Sequence, residues 1–192
     1  MKTGMYLFVS LLLNYVAHAQ VEYTLDPAHT LIEFNAERFM IGEVTGKFKD
    51  FEGILILNSE SKALEKVNIN IITESLDTDH EVRDGHLRSN TWLDAETYPA
   101  ISFKSEKIWQ ENDQWNISGE LTIKEQSNNV KFPFEMQGPF KDPTGALTIG
   151  LSGDLKINRQ DYGIKFSRIM DNGELFIGND VNIRIRALAI AK

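Results

Sequence analysis

From Val21 onwards the chain alternates apolar and polar residues with a period of two, and this pattern limits its fold more than any other feature. In "WNISGELTI", Trp115, Ile117, Leu121 and Ile123 share one face with Gly119, while Asn116, Ser118, Glu120 and Thr122 take the other. Successive side chains on a strand point to opposite faces, so each such segment is a strand with one buried side. "VKFPFEMQ" repeats the pattern, with Val130, Phe132, Phe134 and Met136 opposing Lys131, Pro133, Glu135 and Gln137. Pro133 has no N–H to donate, which places an edge or a bulge at that point. The same phase runs through Ile32, Phe34 and Ala36, through Val67, Ile69 and Ile71, through Leu147 to Ile157, and through Val181 to Ala187. Turn signals separate the segments at Asn58 to Lys62, Glu111 to Gln114, Gln126 to Asn129, Asp142 to Gly145 and Asp171 to Gly173. The rhythm predicts about eight strands.

One stretch stands outside this rhythm. Thr78 or Asp79 is placed to cap a short helix through "HEVRDGHLRS", and "TWLDAET" forms a second turn before Tyr98-Pro99 ends it. No helical layer is available to cover a flat sheet, so the strands must close on themselves or stack as two sheets. An all-β barrel or sandwich follows. If the sheet closes with eight strands, its interior is either filled by side chains or holds one small ligand. Phe34, Phe48, Phe51, Phe103, Phe132 and Phe134 fall in or beside strands with phases that put most of them inside in both cases, and periodicity does not choose between them.

Ahead of the strands, Lys2 precedes the apolar run "GMYLFVSLLLNYV" and the small-x-small pair Ala17 and Ala19. That is the form of a cleaved signal peptide, Met1 to Ala19, and the run is shorter than the ~20 apolar residues that span a bilayer. The expected mature protein is one domain from Gln20 to Lys192, periplasmic or secreted. The chain contains no Cys, so burial must stabilise the fold without disulfides. A formal net charge of −8 disfavours nucleic acid and anionic membrane surfaces as standing partners.

Little in the sequence points to catalysis. No "GxSxG", "HExxH", Walker-type or "GxGxxG" motif occurs, and paired carboxylates mean little among 28 acidic residues. His80 and His86 are six apart, which misses the spacing of one helix face, so no metal and no cofactor are expected. Arg83 and Arg88 have two readings: they pin a loop by pairing with Asp84, Asp94 or Glu96, or one of them faces a phosphate or carbonyl at the mouth of a cavity.

Taken in order, "DPAHTLIEF", "GKFKDFEGIL", "SLDTDHEVRDGHLRSNTWLDAETYPAISF", "GELTI" and "INRQDYGI" resemble the motifs of the YceI-like family of exported lipid-binding proteins. The resemblance covers nearly all of the mature chain. It implies a single lipocalin-like, elongated antiparallel β-barrel with a short helical connection, whose apolar lumen takes a polyisoprenoid chain. Arg83, Asp84, His86, Leu87 and Arg88 match one family block, and Asn158, Arg159, Asp161, Tyr162 and Gly163 match another; both imply largely structural roles. After "LTI" the family places a glycine-containing turn, where this chain has "KEQSNN".

The expected function is therefore non-enzymatic binding, storage or transport of a long isoprenoid lipid of the quinone or polyprenyl phosphate type. By strand phase the lining positions are Ile32, Phe34, Phe48, Ile69, Ile71, Phe103, Ile117, Leu121, Phe132, Phe134, Ile149, Leu151, Ile183 and Ile185. Arg83, His86, Arg88 and Arg159 are the candidates for organising loops or meeting a head group. Stable membrane insertion is not expected, and a homodimer is left open. Two alternatives stand beside this reading: an enzyme acting on an apolar substrate in the same barrel, and a filled barrel that serves as a protein-interaction module.

Overall fold

The alternating segments pair into one antiparallel sheet that closes on itself. The structure, a computed structural model, describes residues 20–192; the expected signal segment lies outside them. In chain order the strands are β1 (Gln20–Leu25), β2 (Leu31–Arg38), β3 (Gly42–Phe48), β4 (Phe51–Asn58), β5 (Leu64–Ile72), β6 (Leu76–Asp77), β7 (Ala100–Glu111), β8 (Gln114–Ile123), β9 (Gln126–Lys141), β10 (Leu147–Asn158) and β11 (Ile177–Ala191). Helix α1 (Glu81–Arg88) lies between β6 and β7.

Three of the staves are broken lines. β1 and β2 lie end to end along β11, with Tyr23 opposite Ala191 and Ile32 opposite Ile185. β3 and β4 continue one another beside them, as do β5 and β6. Counted as continuous lines, the staves make a closed barrel of eight antiparallel strands. Asp26 and Pro27 make the first break: the Asp26 carboxylate accepts from Ala28 N at 3.0 Å, and Pro27 has no N–H to extend the ladder.

Strand β9 changes neighbours along its length. It pairs with β8 from Gln126 to Phe134 and with β10 from Phe134 to Lys141. Below Phe134 no ladder joins β9 to β10, and β10 there pairs with β11 alone. Pro133 lies one residue past the end of the β9–β10 ladder, where its missing N–H removes no bond from it. The turn before β9 falls at Lys124 and Glu125, with Ile123 opposite Gln126, two residues earlier than the amide-rich "QSNN" predicts. Lys124 takes a positive φ of 57° in that turn, a conformation that glycine adopts more readily.

Side chains plug one end of the barrel. Tyr23, Leu55, Leu57, Leu64, Ile149 and Ala189 are buried there in one cluster. A second cluster, containing Ile101, Leu121, Ile123, Ile157, Tyr162 and Ile164, stabilises the other end. Between them close backbone approach matters at Gly46, where a Cβ would lie 2.3 Å from Cζ of Phe34. Only a glycine lets that ring lie across β3.

Candidate functional site

Many inward-phase side chains are not fully covered. Phe48, Ile69, Ile71, Phe103, Ile183 and Ile185 all pack against the core clusters yet remain only partly buried. They face a hollow: a cavity of about 770 Å³ runs inside the barrel from Leu55 and Leu64 at the plugged end to α1 at the other. That size lies in the range of pockets that enclose small organic ligands, roughly 300–1,000 Å³. The barrel is not filled.

Of the lining positions expected from strand phase, all but Ile149 are on the cavity wall. Ile149 has the right phase but the wrong level. It is fully buried in the plug, opposite Ala189, so its inward side meets other side chains and no open space. Aromatic rings shape much of the wall, with Phe34 against Phe48 at 5.7 Å between centroids and Phe103 against Phe132 at 5.9 Å. Phe166 and Phe176 join them from the irregular segment between β10 and β11, which carries no period that could have pointed to them.

The connection from β6 to β7 closes the end opposite the plug. His80 is the residue that caps α1, its Nδ1 accepting from Arg83 N at 3.3 Å, while Asp79 takes a positive φ and Thr78 is buried. Arg83 donates to Thr78 Oγ1 and Thr78 O, both at 2.7 Å, and the buried Asp84 carboxylate accepts from Thr78 N at 2.9 Å. Arg88 donates to Leu76 O and lies 3.6 Å from Glu74. Asp84, Asp94 and Glu96, the partners expected from sequence, are not used by either arginine; Arg83 instead meets the Thr78 hydroxyl and carbonyl, and Arg88 the Leu76 carbonyl and Glu74. Val82, Arg83, His86 and Leu87 line the cavity, and Arg88 does not. Val82 is also 64% exposed, so the cavity reaches the surface beside this helix.

Arg159 is a clamp. The residue is 3% exposed, and its guanidinium donates to Gly178 O, Ile164 O, Phe166 O and Asn179 Oδ1 at 2.7–3.0 Å, tying the segment between β10 and β11 to the barrel. Burial lowers its pKa from the usual arginine value. The cation also lies 5.5 Å from the ring of Trp92, which packs on Phe166 at 5.1 Å. All of its donor directions toward the protein are used, which leaves it a structural residue at the edge of the cavity.

Sequence reasoning missed Arg38. It continues the inward phase of Ile32, Phe34 and Ala36 and stands on the cavity wall. An ionic residue in an otherwise apolar inward phase was the available signal. Among the described residues no group of three His, Cys, Asp or Glu is placed to hold a metal ion.

A closed antiparallel barrel of eight strands, plugged at one end and hollow toward the other, defines a cavity-bearing β-barrel. The chain belongs to the YceI-like domain family, whose profile matches residues 23–189. It is 31% identical over 160 residues to Protein YceI of Escherichia coli O157:H7, covering 82% of this chain and 84% of that one. Among solved structures, BcnA of Burkholderia cenocepacia has the same fold, with a TM-score of 0.73 and 22% identity over 85% of this chain and 98% of that one. A polyisoprenoid binding domain from Saccharophagus degradans, implicated in plant cell wall breakdown, also shares the fold. Its TM-score is 0.66 at 16% identity, covering 90% of this chain and 99% of that domain.

Proposed function

We propose that the protein binds a long isoprenoid lipid in its barrel without converting it chemically, as a store or carrier outside the cytoplasm. The observation that carries this reading is the ring of inward-phase aliphatic and aromatic side chains left partly uncovered around a cavity of about 770 Å³. Burying a methylene is favourable by about 0.8 kcal/mol, so each five-carbon unit gains on the order of 3 kcal/mol before ordering costs. A branched, unsaturated tail suits such walls, and a few units are enough for tight binding.

The polyisoprenoid binding domain from Saccharophagus degradans, which has the same fold, supports the choice of ligand class. Location outside the cytoplasm rests on the signal-type segment Met1 to Ala19. No helix among the described residues is long and apolar enough to cross a membrane.

Organic extraction of the protein purified from its native source, followed by mass spectrometry, tests the reading. A stoichiometric isoprenoid lipid is the expected result. Protein that yields no lipid and binds no added prenyl alcohol overturns it, and turnover of the extracted lipid on incubation favours the enzyme alternative.

A further inference from the structure

The chain is acidic overall, yet its cavity is not. Arg38, Arg83, Arg159, His80 and His86 stand on the wall against one carboxylate, Glu33, which is 3.8 Å from Arg184 on β11. Arg83 and Arg159 have their guanidinium groups occupied by Thr78 and by backbone carbonyls respectively. Arg38 is different. Its guanidinium carbon lies 4.8 Å from the centre of the Phe176 ring and 5.2 Å from that of Phe39, and the two rings meet edge to face at 4.6 Å. Its Nε is buried with no hydrogen-bond acceptor, and among the described residues no carboxylate pairs with it. Arg88 also has a buried, unmet Nε, but its other nitrogens reach Leu76 O and Glu74.

A buried guanidinium Nε without an acceptor is unfavourable, and two aromatic faces offset only part of that. They do hold the group in one orientation. Strand pairing fixes the other coordinates, because Arg38 lies opposite Gly42 on β3 and Ile177 on β11. The result is a planar fork, already ordered, on the wall of a hydrocarbon-lined cavity and lacking its counter-charge. Arginine matches the geometry of phosphate and carboxylate oxygens.

We propose that Arg38 receives the anionic head group of the lipid whose tail occupies the cavity, so that the protein selects a prenyl phosphate over a neutral prenyl alcohol or quinone. The proposal rests on the lipid-binding reading above and narrows its ligand class. Arg38 acts here as a specificity-determining residue. The tail sets most of the affinity, and the head group sets the choice.

The test compares the purified protein with Arg38→Met and Arg38→Lys for binding of geranylgeranyl monophosphate, geranylgeraniol and inorganic phosphate, followed by tryptophan fluorescence. The unaltered protein should bind the monophosphate about ten- to a hundredfold more tightly than the alcohol, the span expected for hydrogen bonds to a charged group. Arg38→Met should remove that preference and leave the alcohol affinity within about twofold, which also shows that the variant is folded; Arg38→Lys should keep part of the preference. Equal affinities for alcohol and monophosphate in the unaltered protein overturn the proposal while leaving the lipid-binding reading intact. So does a preference that survives in Arg38→Met. Inorganic phosphate binding as tightly as the prenyl phosphate would make this a free-anion site and overturn the head-group assignment. A protein that binds neither prenyl compound refutes the lipid-binding reading, and this proposal with it.

Discussion

Ile149 and Leu151 stand two residues apart on β10 with the same inward phase, but Ile149 is fully buried against the plug and Leu151 faces the cavity. The level along the strand decides what an inward residue does. Removing side-chain atoms should therefore have unequal effects. Ile149→Ala leaves a void in a packed region and should cost about 3 kcal/mol in urea unfolding. Leu151→Ala enlarges a space that already exists and should cost about 1 kcal/mol, because less contact is lost.

Phe134 lies on the wall where β9 passes from β8 to β10, 6.1 Å from Trp115. In a filled barrel Phe134→Trp would overpack by roughly 1–3 kcal/mol. Here the added ring has the cavity to enter, so the ligand-free variant should unfold within about 1 kcal/mol of the parent while binding shorter prenyl alcohols in preference to longer ones. Phe134→Ala should shift that length preference the other way. Titration with alcohols of two, three and four isoprene units reads both effects.

Loss of Arg159 should be felt in stability more than in ligand choice. Arg159→Met deprives Gly178, Ile164 and Phe166 of a donor to their carbonyls and should lower unfolding stability by at least about 3 kcal/mol. Arg159→Lys should recover little of it, since an ammonium cannot reproduce a fork that meets several acceptors at once. Proteolysis should accelerate within residues 163–176, the segment that the clamp holds.

Gly46 on β3, opposite Phe34, tests the wall from behind that ring. A side chain there meets the Phe34 ring and Thr78, so Gly46→Val must push Phe34 into the cavity or shift β3. The expected cost is about 1–3 kcal/mol, together with weaker binding of a four-unit prenyl alcohol. Gly85, on α1, has open space around its Cα. Gly85→Ala should be neutral or stabilising, by up to about 1 kcal/mol, since alanine is the better helix former.

Much of this architecture was readable because a strand with one covered face must alternate. The phases of Ile117 and Leu121, of Phe132 and Phe134, and of Ile183 and Ile185 all put on the wall the residues that the structure places there. Alternation states which way a side chain points, not whether anything meets it. That is why Ile149 could not be separated from Leu151, or a hollow barrel from a solid one. For Arg159 the resemblance implied a loop-organising role, but its partners were opaque for another reason: most are main-chain carbonyls up to about twenty residues away, and carbonyls carry no sequence signature. The cap at α1 fell on His80 because Thr78 is drawn inside to meet Asp84 and Arg83. Arg38 is visible in the pattern, as a charge on the inward beat of β2, although it lies outside the motif blocks.

The hand-over of β9 from β8 to β10 at Phe134 has a consequence for how the wall can breathe. Along Gln126 to Pro133 on one side and Asp154 to Asn158 on the other, the staves meet through the second core cluster, against which Val130 and Leu155 both pack, and through the Asn128 side-chain amide on Asp161 O at 3.1 Å. Main-chain amides on that line have no ladder to break, so they should exchange with deuterium by local opening well before the amides shared by β10 and β11. Widening of the barrel, when a ligand calls for it, has a line along which separation disrupts no backbone bond.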